Sequence, residues 1–229
     1  MFVRVTHWLT VIAFTALLIS GGEIVISHPR FYWGETGNVN MRPLFTIPIP
    51  SSRDTVPTGY GYVMPDQNGW SRYLHFQMAW VLVLGGLLYV GAGVVNGHFR
   101  REMVPKREQF TGGRLLASVR EHLRFKRPGP EEAWSYNVLQ RLAYLGVVFV
   151  AFPLMIWSGL AMSPGFVARV PWAATILGGQ QSARTIHFAM TALLVGFLLV
   201  HIVMVIVAGF WSRMRAMITG RAAERMEQA

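Results

Sequence analysis

Apolar residues crowd into four stretches, near Trp8–Ser27, Tyr73–Asn96, Val138–Met162 and Ile186–Trp211, and between them charge, proline and glycine return. Each stretch can cross the roughly 30 Å hydrocarbon layer of a bilayer as a helix, which takes about 20 residues. The pattern therefore predicts an all-α membrane protein, a four-transmembrane-helix bundle forming a single integral-membrane domain over residues 1–229. The first stretch follows Arg4 as the core of a signal peptide would. No small-residue cleavage motif follows Ser20, Gly21 and Gly22, so a retained helix is expected.

The segments between the spans are unequal. The first, Pro29–Arg72, is 44 residues long and rich in proline, glycine and aromatics, as in Phe31-Tyr32-Trp33-Gly34 and Ile47-Pro48-Ile49-Pro50. A loop of that length and aromatic content is expected to be an ordered cap or docking surface. The second carries Leu115, Leu116, Val119 and Leu123 at helical spacing among Arg114, Arg120, Arg124, Lys126 and Arg127. That predicts a short amphipathic helix over Thr111–Arg127, lying on anionic lipid. Arg4, nine basic residues between Gly97 and Ser135, and four after Trp211 fall on one side of the membrane, against six in the other two loops. Positive residues favour the cytoplasm, so both termini are expected there.

Composition narrows the chemistry. The chain is 52% hydrophobic and 14% charged, against about 25% charged residues in soluble domains. Its net charge of +10 flanks the apolar runs and covers no soluble face, so nucleic-acid binding is not expected. With no cysteine there is no disulfide, no thiolate-held iron–sulfur cluster and no covalent attachment of c-type haem. Any redox cofactor must be held by other ligands.

Histidine is the candidate. His7, His75, His187 and His201 lie in or at the ends of the spans, where an ionisable residue is costly and points to function. His187 and His201 are 14 residues apart on one predicted helix, nearly on one face and separated by about 21 Å. One helix thus offers an imidazole toward each side of the membrane. Depth pairs His75 with His187 near the outer surface and His7 with His201 near the inner one. Two imidazoles facing each other suit iron in a flat six-coordinate macrocycle such as haem better than tetrahedral zinc. Helix three, without histidine, is expected to be packing. One mismatch stands in this ruler: His7 lies three residues past Arg4, whereas His201 lies ten before Trp211. His28, followed by Pro29, is a rival to His75 as outer ligand, while His98 lies about 140° around the helix from His75 and cannot share its face. The bland reading of His28, His98 and His122 is an interfacial or solvated imidazole. Gly85, Gly86, Gly91, Gly93 and Gly97 permit either close helix packing or close approach of a haem edge, and Pro153 is expected to kink helix three.

At these residues the chain resembles the four-helix di-haem cytochrome b family, which groups prokaryotic cytochrome b561 with the b subunits of nickel–iron hydrogenase, formate dehydrogenase and thiosulfate reductase. Arg4-Val5-Thr6-His7-Trp8, His75, Arg184-Thr185-Ile186-His187-Phe188 and His201 carry the resemblance. It implies two b haems and an electron-transfer subunit of an oxidoreductase complex, with no catalytic side chain of its own. It also implies a periplasmic partner, of molybdopterin or hydrogenase type, exchanging electrons with the outer haem, while the inner haem serves quinone. The matching quinone segment comprises Asn96, Gly97, His98 and Arg100, with His98 a possible proton relay. Alternatives of another class are a stand-alone superoxide:quinone oxidoreductase and a membrane anchor without cofactor.

Overall fold

The computed structural model describes residues 1–38, 40–49, 68–104 and 138–220. The predicted amphipathic helix over 111–127, His122 and the later part of the first loop lie outside the described residues. Four helices are long and apolar enough to cross a membrane: α1 (Phe2–Ser27), α2 (Asn68–Val95), α3 (Val138–Ala161) and α6 (Gln180–Val207). At 1.5 Å per residue they are about 36 to 42 Å long, so each extends beyond the hydrocarbon layer. Short helices α4 (Pro164–Val167) and α5 (Trp172–Thr175) link α3 to α6, and α7 (Phe210–Thr219) follows. Among the described residues the fold is all-α apart from one antiparallel pair, β1 (Arg30–Phe31) and β2 (Phe45–Thr46), in which Phe31 faces Phe45.

The helices start earlier than the apolar runs. α1, α2 and α6 begin at Phe2, Asn68 and Gln180, where sequence alone placed them near Trp8, Tyr73 and Ile186. Hydrophobicity marks the part in lipid, whereas hydrogen bonding carries a helix on through polar turns such as Gln180-Gln181-Ser182. α6 stops at Val207, before the expected Trp211, because Gly209 takes φ +99° and breaks the helix. In α3 the turn Val147–Ala151 is π-helical, and the Phe152 N–H bonds to the Val147 carbonyl. Pro153, which has no N–H and crowds the carbonyl four residues back, accounts for the widened turn.

The chain forms two compact units, and each of the four long helices contributes to both. One comprises Thr6–Leu88 and Leu154–Met190; the other comprises Met1–Val5, Tyr89–Pro153 and Thr191–Ala229. Large apolar side chains such as Ile12, Leu84, Leu87 and Leu199 are exposed, the condition of a lipid-facing surface. The interior is small: among the described residues the largest fully buried side chains are Phe31 and the serines Ser20, Ser71, Ser158 and Ser182. Lipid competes with the interior for apolar groups, so close approach and hydrogen bonds between helices hold the packing.

In the first unit, the described part of the long loop is strapped over the start of α6. The Gly34 carbonyl accepts from the N–H groups of Gln181 and Ser182 (3.0 and 3.2 Å), and the Glu35 carboxylate accepts from Gln180 N–H (3.1 Å). These are the backbone donors that a helix start leaves without partners. The Gly34 N–H donates to Ser182 Oγ (2.8 Å), and Thr185 Oγ1 donates to the Tyr32 carbonyl (2.7 Å). Arg184 donates to the carbonyls of Arg30 (3.1 Å) and His28, with its guanidinium 4.7 Å from the centre of the Phe31 ring. Phe31 also stacks on Phe45 and packs on Phe188. The expected aromatic cap is present over the described residues.

Candidate functional site

His75 lies seven residues after the first residue of α2, and His187 seven after the first residue of α6. Equal depth brings the two rings together in one unit, with centroids 6.2 Å apart and planes inclined by 60°. The expected outer partner, His75, thus meets His187. The His28 backbone carbonyl instead receives Arg184.

Each imidazole is backed by a serine–glycine pair on a different helix. His75 Nδ1 lies 3.0 Å from Ser20 Oγ on α1. The Ser20 hydroxyl donates to its own helix, to the carbonyls of Ala16 (2.8 Å) and Leu17 (3.2 Å), as helical serines do. Its oxygen is left to accept, so the proton between the two residues belongs to His75 Nδ1. His187 Nδ1 lies 3.1 Å from Ser158 Oγ and 3.1 Å from the Met155 carbonyl, and Ser158 donates to that same carbonyl (3.0 Å). A carbonyl can only accept, so Nδ1 carries the proton here as well. Gly21 and Gly159 follow the two serines. A Cβ at Gly21 would stand 3.4 Å from His75 Cε1, and one at Gly159 would stand 3.3 Å from His187 Cε1. The expectation that helix three only packs is thereby corrected, since α3 supplies the hydroxyl, the carbonyl and the bare backbone that hold His187.

This donor set fits haem iron. With Nδ1 protonated and tied back, each Nε2 keeps its lone pair, the form in which imidazole binds a metal. Metal–nitrogen bonds of about 2 Å on either side of a flat group leave opposed ring centroids about 6 Å apart, close to the spacing found. Among the described residues no three His, Asp or Glu side chains converge as a tetrahedral metal would need.

The profile of prokaryotic cytochrome b561 matches residues 1–220. The chain belongs to the prokaryotic cytochrome b561 family. It is therefore a bacterial multi-pass membrane protein, an electron-transfer cytochrome of the haem b class. This b561 chain is 29% identical over 207 residues to a protein of Azospira oryzae named "Putative protein-methionine-sulfoxide reductase subunit YedZ1", covering 88% of this chain and 86% of the relative. It is 27% identical to the "Probable Ni/Fe-hydrogenase B-type cytochrome subunit" of Azotobacter vinelandii (87% of this chain, 75% of the relative). Its identity to the like-named protein of Cupriavidus necator is 24%, over 87% and 74% of the two chains. No solved structure matches the chain significantly.

The remaining candidate residues of this b561 chain are distributed as follows. His7 lies in the unit that holds His75 and His187, five residues after the start of α1, with its ring edge-on to Trp8. His201 lies in the other unit, six residues before the end of α6, stacked on Phe197 at 6.1 Å. Also in that unit, the His98 ring stands edge-on to Phe2 (5.6 Å) and Tyr89 (6.1 Å). The Asn96 side-chain amide donates to the Ala92 carbonyl (2.8 Å), and Gly97 leaves the helix at φ +63° with Arg101 reaching back to the Asn96 carbonyl. Arg100 is exposed on the π-helical turn Phe99–Met103. Gly93 serves packing, because a Cβ there would overlap the Phe99 ring at 2.5 Å. The serine–glycine pairs were visible in sequence only as small residues. Nothing in the spacing of Ser20 from His75, or of Ser158 from His187, announces that the helices bring them together.

Proposed function

We propose that this chain is one integral domain that holds two b haems, one between His75 and His187 and one between His7 and His201, and passes electrons between a periplasmic redox enzyme and quinone. The observation that carries the reading is the opposed His75–His187 pair with both Nδ1 atoms tied back. Haem supplies one-electron chemistry, while the chain supplies its ligands and surroundings. His7 and His201 support a second pair by their positions, five residues into α1 and six before the end of α6. α1 starts earlier and α6 ends earlier than hydrophobicity suggests.

The names of the relatives support a partner enzyme: one is called a reductase subunit and two are called hydrogenase cytochrome subunits. The partner is of molybdopterin or hydrogenase class, docking beside His75 and His187. Quinone exchanges electrons and protons at the opposite end, where His98, with Asn96, Gly97 and Arg100 alongside, faces the aromatic rings of Phe2 and Tyr89. The basic bias of the loops supports an inner-membrane orientation with both termini cytoplasmic. Replacing His187 or His201 by alanine should lower haem content from two per chain to one in a pyridine haemochrome assay. Haem content unchanged from the parent protein refutes the assignment.

A further inference from the structure

Resting on that reading of His75 and His187 as ligands, we infer that Ser20 and Ser158 are a matched pair of positioning residues, one behind each ligand, which set imidazole basicity and thereby the potential of the bound haem. Two serines on different helices perform the same operation. Each is buried, each donates its own proton to carbonyls one turn earlier in its helix (Ala16 and Leu17 for Ser20, Met155 for Ser158), and each presents the remaining oxygen lone pair to a histidine Nδ1, at 3.0 Å from His75 and 3.1 Å from His187. A hydroxyl already donating to a carbonyl is polarised and accepts more strongly. An Nδ1–H donated to such an acceptor makes Nε2 a better electron donor to a metal, which favours the oxidised iron and lowers its potential.

The glycine after each serine completes the arrangement. It lets the ring lie against bare helix backbone, at a distance where a methyl group would touch Cε1. At Gly159 the added Cβ would approach His187 Cε1 to 3.3 Å and Nδ1 to 3.6 Å, so the ring would have to give way. The serine therefore holds the proton and the glycine sets the ring angle.

The test uses the full-length haem-loaded protein in detergent or nanodiscs. Ser20→Ala, Ser158→Ala and the double variant should keep parental haem content and raise the midpoint potential of one haem, the double variant more than either single, in a spectroelectrochemical titration. Ser158→Thr, whose hydroxyl can donate to the same carbonyl, should return the potential toward the parental value. Plain packing would predict the reverse order, with the larger threonine more disturbing than alanine. Gly159→Ala should alter the low-spin electron paramagnetic resonance of one haem, which reports the angle between its imidazole planes. Parental potentials in all three alanine variants, with haem retained, overturn the inference while leaving the ligand assignment intact. Unchanged haem content in His75→Ala and His187→Ala removes the ligand assignment itself, and the role of the serines with it.

Discussion

Gly179 shows how much one residue carries at the start of α6. Its backbone takes φ +112°, a conformation that L side chains rarely adopt, and a Cβ there would lie 2.6 Å from the carbonyl carbon and oxygen of Gly34. The carbonyl that would be displaced is the one that caps Gln181 and Ser182. Gly179→Ala therefore adds backbone strain, on the order of 1 kcal/mol or more, and disturbs the cap as well. A lower midpoint of thermal unfolding for the detergent-purified variant is expected, whereas Gly165→Ala, whose Cβ meets nothing within 4 Å, should leave it unchanged. Equal melting of the two variants would show that the Gly34 contact does not matter.

At the scale of elements, Arg184 helps hold the cap over α6, joining the carbonyls of His28 and Arg30 to the helix that bears His187. Hydrogen bonds from a charged group contribute about 2 kcal/mol each. Loss of one should make the Leu44 and Ile47 amides, which bond to Phe31 and Pro29, exchange roughly 30-fold faster in hydrogen–deuterium exchange. Arg184→Lys, which can keep one bond but lacks the planar fork that serves two carbonyls, should show about that change, and Arg184→Ala, which loses both bonds, a larger one. Exchange at the parental rate in both would mean that the strap is held without Arg184, by the aromatic stack of Phe31, Phe45 and Phe188 and the hydrogen bonds of Gly34 and Thr185. The four spans and the His75–His187 pairing were legible in the sequence because lipid imposes length and hydrophobicity on each helix, and because a histidine's depth follows from its distance to a helix end. The helix limits were not, since polar turns such as Asn68–Arg72 and Gln180–Arg184 continue the hydrogen-bond ladder without an apolar signal. Ser20 and Ser158 were not legible either, because which serine faces which histidine depends on the rotation of α1 and α3 about their axes. An apolar run of nearly uniform hydrophobicity does not fix that rotation.

For the molecule as a whole, sidedness follows from a contact as well as from charge. Arg4, in the first turns of α1, donates to the Ile218 carbonyl near the end of α7 (3.2 Å), and Phe2 packs on His98 just beyond α2, all within one unit. The start of α1, the end of α2 and the end of α7 therefore share one side of the membrane, as four crossings require. The lysine and arginine bias supports the proposal that this side is the cytoplasm. Because the chain has no cysteine, single cysteines can be introduced without a background to remove. Thr36→Cys, on the exposed part of the strap, should react with a membrane-impermeant maleimide in intact cells or spheroplasts, while Thr219→Cys, exposed near the end of α7, should react only after permeabilisation. The reverse pattern would invert the orientation and place His75 and His187 toward the cytoplasm. Labelling of both positions in sealed spheroplasts would contradict the shared side of Arg4 and Ile218 or the count of four crossings, and the contact could then be checked by crosslinking Arg4→Cys to Ile218→Cys.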